Sequence, residues 1–298
     1  MSKQLIVNAD DYGRSEGVTQ GILQAHREGI VTSTTVMMNM PNVEDALRLA
    51  DDYPELGVGV HLVFTAWRPL LPPREIPSLV DEDGYFHSQE AILSHPQRID
   101  IDELKAELRA QIERFRASGR EPDHLDCHHF VHLYPPFFAV YVELAEEYSL
   151  PVRLPFPPEE EWDEAAASVA IAQGLPPDLL REIARQDIGL VQTKGIPHPN
   201  RFVQSFFGEE ALTLENLLGI LEGLPEGISE MMTHPGLADE KLVAKSTYGK
   251  ERERELELLC HPRVKERIDE LGIELVNFGV LKRMASHQQD SISVPARG

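Results

Sequence analysis

Cysteine is scarce in this chain: Cys127 and Cys260 are the two among 298 residues. Two thiols build no disulfide framework, and their spacing matches no zinc motif. Long apolar runs are missing too, since none approaches the roughly 18 residues of a membrane span. The start, Met-Ser-Lys-Gln, leads straight into an apolar strand, so no secretory leader is expected and a cytoplasmic location is. Basic residues are in deficit, with 28 Lys and Arg against 50 Asp and Glu, a net charge of −22. Such a surface repels nucleic acid and anionic membranes; it also serves simple solubility. There is no internal repeat, no long low-complexity run and no clean linker. A hydrophobic fraction of 42% is ordinary for a packed protein, and one domain over residues 1–285 is expected, with 286–298 as a disordered tail.

What is present is an alternation of short β-like runs and helical stretches, which argues for a parallel sheet or barrel covered by helices. Strands are expected at 5–7, 32–38, 56–62, 122–128, 152–155, 228–234 and 273–278. Helices are expected at 17–28, 43–52, 104–117, 137–148, 212–221, 249–259 and 264–271. Two excursions break the rhythm, at 64–100 and 156–200, both rich in proline. Long excursions of this kind are usually functional loops.

Polar residues gather at the expected C-terminal ends of the strands: Asp10 and Asp11, His61, Asp126 with His128, Arg153 and His234. In parallel α/β barrels that rim is where active sites are built. A regular strand cannot aim two adjacent carboxylates at one point, but a strand end that begins to turn can. Adjacent acids repel unless a positive charge sits beside them, and a divalent cation answers that need. Asp11, His61 and His128 would offer one carboxylate and two imidazoles, leaving a position for water or substrate. Asp10 could then take a proton from that water and His234 give one to a leaving group. Taken singly, each residue has a plainer reading: a turn for Asp10 and Asp11, a hydrogen-bonded core residue for His61, a turn for His234. On a continuous fourth strand, His124, Asp126, His128 and Phe130 would share one face. His132 lies past that strand and reads as a supporting or structural residue.

Four blocks carry a resemblance: Asn8-Ala9-Asp10-Asp11-Tyr12-Gly13, Gly57-Val58-Gly59-Val60-His61-Leu62, residues His124 to His132, and Met231-Met232-Thr233-His234-Pro235-Gly236. In this order they resemble the YdjC-like carbohydrate deacetylase family, which includes chitooligosaccharide deacetylases. Tyr248-Gly249-Lys250-Glu251-Arg252 and Leu275-Val276-Asn277-Phe278 are similar to it as well, so the likeness spans about residues 4 to 280. It implies a distorted (β/α) barrel resembling a TIM barrel, polysaccharide-deacetylase-like, that removes N-acetyl groups from an amino sugar. It also implies one divalent cation, given as magnesium, on Asp11, His61 and His128, with Asp10 as base and His234 as acid. Arg153 matches a family arginine, for which an orienting role or contact with substrate is expected; by their position, Asp126 and His132 are expected behind the ligands. Phe130 stands where relatives commonly have histidine.

Two imidazoles favour zinc or another transition metal over magnesium, which prefers oxygen. Trp67, in the first excursion, is a candidate stacking platform for a sugar ring or a residue that packs the loop down. The expected partner is a small carbohydrate, not nucleic acid or membrane; a homo-oligomer is left open. Rival readings are a two-metal phosphoesterase or amidohydrolase and a non-catalytic sugar-binding protein on the same scaffold.

Overall fold

A computed structural model describes residues 2–156, 177–243 and 248–284. The expected tail at 286–298, and Pro157, Pro158 and Pro176 of the second excursion, lie outside the described residues.

The chain begins with β1 (Lys3–Tyr12), α1 (Glu16–Glu28), β2 (Ser33–Val36), α2 (Val43–Ala50) and β3 (Gly57–Leu62). After the first excursion, which carries α3 (Gln89–Ser94), come α4 (Ile101–Ala117), β4 (Leu125–Cys127) and α5 (Pro135–Tyr148). The helix Pro177–Lys194, β5 (Arg201–Val203), the helix Leu214–Glu222 and β6 (Gly227–Thr233) follow. A short helix Glu240–Val243, the helices Lys250–Leu259 and Pro262–Leu271, and β7 (Glu274–Leu275) complete the order.

All strand pairs are parallel, in the order β4-β3-β2-β1-β6-β5, with β7 against the start of β1. The sheet curls into a distorted barrel. Between its ends lies the 151–153 segment, where Leu125 N donates to Pro151 O, Arg153 N to Leu125 O, and Val152 N to Pro197 O. The expected strand at 152–155 is therefore a single bridge, Leu125 to Val152. Pro151 and Pro155 flank it, and proline cannot donate to a ladder.

β1 is buried from Leu5 to Tyr12 and lies at the centre of the sheet. Strands covered on both faces read as continuous apolar runs, as Leu5-Ile6-Val7 does. The helices start where the sequence supplies caps: Ser15 accepts from Val18 N, and Asp100 accepts from the N–H groups of Asp102 and Glu103. Glycine matters at two close approaches. A side chain at Gly59 would meet the His124 ring, and one at Gly21 would meet the Gly236 backbone, both about 2.5 Å away. α1 thus seats directly on the loop that follows β6.

α4 departs from a simple amphipathic helix. Glu107 and Gln111, one turn apart, are fully buried on its inner face. Gln111 Nε2 donates to Val63 O (2.6 Å) while its Oε1 accepts from Val63 N (2.9 Å), and Glu107 accepts from Leu70 N and Leu71 N. These bonds replace the ladder where the chain leaves β3, and they tie down the root of the first excursion. No helix of the described residues is long and apolar enough to cross a membrane.

Candidate active site

The site is built at the C-terminal ends of β1, β3, β4 and β6. At Asp11 the backbone turns left-handed (φ 73°), and the β1–β2 register shifts between Ala9 and Tyr12. Aspartate tolerates this conformation better than most residues. The kink breaks the strand alternation and brings both carboxylates to one centre. Asp11 Oδ2 accepts from Arg14 Nη1 (2.8 Å) and from Arg252. Its Oδ1, buried and with no hydrogen bond, faces His128 Nδ1 at 3.2 Å and His61 Nε2 at 3.5 Å. Burial opposes ionisation of Asp11, but Arg14, Arg252 and His128 outweigh it and hold the carboxyl well below its usual range.

His61 Nδ1 donates to Asp126 Oδ1 (2.7 Å), which turns Nε2 inward to within 3.1 Å of His128 Nδ1. A carboxylate behind the outer nitrogen is the arrangement that orients metal-ligating histidines. Burial lowers the pKa of His61, yet Asp126 with Asp10 and Asp11 raises it overall. His128 is the first residue after β4, and its ring stacks on His129 with centroids 3.7 Å apart.

Asp11 Oδ1, His61 Nε2 and His128 Nδ1 form a buried three-donor group fit to hold a divalent cation. The three atoms lie 3.1–3.5 Å from one another, and a carboxylate with two imidazoles is a donor set that suits a divalent cation. A second group, Asp10, His61 and Asp126, is also close enough to bind an ion. It already has its cation: Arg153 Nη1 and Nη2 donate to Asp10 Oδ2 (2.6 Å) and Oδ1 (2.7 Å), and Nη1 lies 2.9 Å from Asp126 Oδ2.

Arg153 is accordingly a correction. Of the two roles expected for it, orienting or touching substrate, the second does not fit a fully buried side chain whose Nε donates to Glu230 Oε1 at 2.7 Å. Its guanidinium is shared by three protein carboxylates and orients Asp10. Asn8 Nδ2 also donates to Asp10 Oδ1 (2.9 Å), and Thr35 Oγ1 to Asp126 Oδ2 (3.0 Å).

His234 follows β6. Its Nε2 lies 3.8 Å from Asp10 Oδ2, and its side chain keeps one edge open to solvent at 14% exposure. Burial pulls its pKa down to about 4.

Two other expectations change. The chain leaves the sheet after Cys127, and His129 and Phe130 turn left-handed, with φ of 63° and 54°. Phe130 therefore does not share a strand face with His128; it packs edge-on against Phe202 at 6.0 Å. His132 does not back the ligands. Its ring lies 4.7 Å from Tyr141 and 5.9 Å from Phe138, and neither nitrogen is hydrogen-bonded among the described residues. Trp67 is half-buried beside Met37, Met40 and Val63, with the Arg14 guanidinium 5.6 Å from its ring centre.

Sequence reasoning missed Asn8, Arg14, Glu230, Arg252, Tyr248 and Glu255. For the last two helix residues a signal existed: Arg252 and Glu255, three apart, share the inner face with Leu256 and Leu259.

The model of the family described as YdjC-like protein matches residues 4–270. A carbohydrate deacetylase of Brevibacillus brevis is 38% identical over 93% of this chain and 99% of its own length. A chitooligosaccharide deacetylase of Proteus mirabilis is 34% identical over 93% of this chain and 98% of its own. A crystal structure from Enterococcus faecalis V583, given as that of a candidate cellobiose-phosphate cleavage protein, superposes with a TM-score of 0.82 at 35% identity. It covers 94% of this chain and 99% of that one. The chain belongs to the YdjC-like family.

Proposed function

We propose that this protein is a metal-dependent carbohydrate deacetylase that hydrolyses the N-acetyl group of an acetylated amino sugar or oligosaccharide to an amine and acetate. The observation that carries the reading is the convergence of Asp11, His61 and His128 on one point, flanked by Asp10 and His234. Asp11, His61 and His128 would hold a divalent cation, which when bound would supply polarisation of the acetyl carbonyl and a more acidic attacking water. Asp10 takes the proton from that water as its oxygen bonds to the acetyl carbon. Arg153 and Asn8 fix Asp10 for this task. His234 gives a proton to the sugar nitrogen as the C–N bond breaks. One carboxylate and two imidazoles suit zinc or another transition metal better than magnesium, the ion of the family resemblance.

Among the described residues, the second carboxylate–histidine group, Asp10, His61 and Asp126, is already paired with Arg153. A two-metal phosphoesterase needs a second cation about 3.5–4 Å from the first, and Arg153 fills that ground. The free thiols Cys127 and Cys260 suit the reducing cytoplasm to which we assign the enzyme, and we treat residues 1–285 as one catalytic domain.

The test is acetate release from N-acetylated mono- to oligosaccharides by protein loaded with zinc or magnesium, with metal counted by elemental analysis. Asp10→Asn should abolish turnover and keep the metal; Asp11→Asn and His128→Ala should lose the metal. Two ions per chain would favour the phosphoesterase. Binding of acetylated sugars without any acetate release would leave a sugar-binding protein.

A further inference from the structure

Glu255 is fully buried on the helix Lys250–Leu259, and the proposed reaction so far gives it no part. Its carboxyl is held by two neutral donors: Tyr248 Oη to Oε1 at 2.7 Å, and the His234 backbone N–H to Oε2. Burial pushes its pKa up to about 8. Beside it, His234 Nδ1 is buried with no hydrogen-bond partner among the described residues, 3.9 Å from Glu255 Oε1. The opposite nitrogen, Nε2, faces Asp10. A buried carboxyl with no cation of its own hydrogen-bonded to it among the described residues thus lies beside a buried ring nitrogen. Closing the gap by about 1 Å brings them to hydrogen-bond distance, and catalytic hydrogen bonds are commonly long before substrate binds.

We propose that Glu255 is a positioning residue for His234: its Oε1 pairs with Nδ1, fixes the tautomer, and presents Nε2–H to the leaving nitrogen. The proposal rests on the reading of His234 as the acid. The pair holds one proton between Nδ1 and Oε1 and a second on Nε2. Transfer of the Nε2 proton to the leaving nitrogen leaves a neutral imidazole protonated at Nδ1 and an ionised Glu255, so protons and charge balance. Tyr248 sets the carboxyl rotamer through its hydroxyl, and its ring lies 5.9 Å from His234 while stacking on Phe207 at 4.8 Å. One turn before Glu255, Arg252 holds Asp11. A single helix therefore steadies a metal ligand and the acid.

The experiment compares wild type, Glu255→Gln and Tyr248→Phe, each zinc-loaded and labelled with 15N-histidine. Gln keeps the shape and, with its oxygen accepting from the His234 N–H and its amide N–H donating to a Tyr248 hydroxyl turned to accept, both contacts, but it cannot carry the proton. The expected result for Glu255→Gln is a changed His234 tautomer pattern, a kcat at least about tenfold lower, KM within about twofold and unchanged zinc content. Tyr248→Phe should give a smaller change of the same kind. Unaltered His234 nitrogen shifts, or kcat within twofold of wild type, would overturn the proposal. Loss of zinc along with activity would overturn it too, marking a structural role through Arg252. If wild type released no acetate from any sugar, the deacetylase reading would fail, while the nitrogen shifts would still decide whether Glu255 holds His234.

Discussion

Arg153 touches Asp10, Asp126 and Glu230 with no access to solvent. Removing it leaves three buried carboxyl groups without their shared cation. Arg153→Met should cost roughly 3–5 kcal/mol, read by urea denaturation, and eliminate turnover. Arg153→Lys should retain the fold better yet lose most of kcat, because an ammonium cannot make the two parallel bonds to Asp10. Asp187 gives a pH-dependent case. It is buried on the helix Pro177–Lys194 with Oδ2 unbonded, and burial raises its pKa from 3.8 to about 8. An acid whose folded pKa is raised favours the native state when protonated. Its contribution is fully present below pH 4 and is lost as pH climbs toward 8. Asp187→Asn should therefore raise Tm at pH 8 relative to wild type, and the gain should shrink toward pH 5 in thermal scans.

Among elements, the contact between α1 and the loop after β6 governs where His234 stands. A methyl group at Gly21 would lie 2.5 Å from Gly236 Cα and 2.9 Å from Leu237 N, and backbone cannot step aside as a side chain can. Gly21→Ala should lower stability by about 1–3 kcal/mol and lower kcat, with zinc content maintained; urea melts and elemental analysis separate the two effects. The outline of these elements was legible beforehand. The apolar alternation located β1, β2, β3 and β6, and the helical periodicity located α1 and α2 to within two residues and α4 to within three. The convergence of Asp11, His61 and His128 was legible too, because each lies within one residue of a strand's C-terminal end. Reading failed where tertiary bonds override the local pattern. His129 and Phe130 look like strand continuation and instead turn left-handed. Val152-Arg153 looks like a full strand, but its proline flanks reduce it to one bridge. Arg252 and Glu255 sit in the run Lys-Glu-Arg-Glu-Arg-Glu, where the helical spacing to Leu256 and Leu259 places them on the inner face but does not name Asp11 and His234 as their partners.

At the scale of the whole molecule, a net charge of −22 means mutual repulsion across the surface. Added salt screens it within about 10 Å at 0.1 M, so Tm should rise as sodium chloride is increased from about 20 to 200 mM, measured by calorimetry. The placement of β1 has a different kind of outcome. The strand made first is the one in the middle, and one of its bonds, from Thr233 Oγ1 to Asn8 O, spans 225 positions. During synthesis the edge of β1 away from β2 waits, unpaired, for β6 to leave the ribosome. Pairings so distant in sequence form slowly and leave aggregation-prone edges exposed meanwhile. A ribosome stalled before Gly227 would carry both aspartates but neither His234 nor Glu255, so chaperone demand should peak in nascent chains of that length and fall once β6 docks.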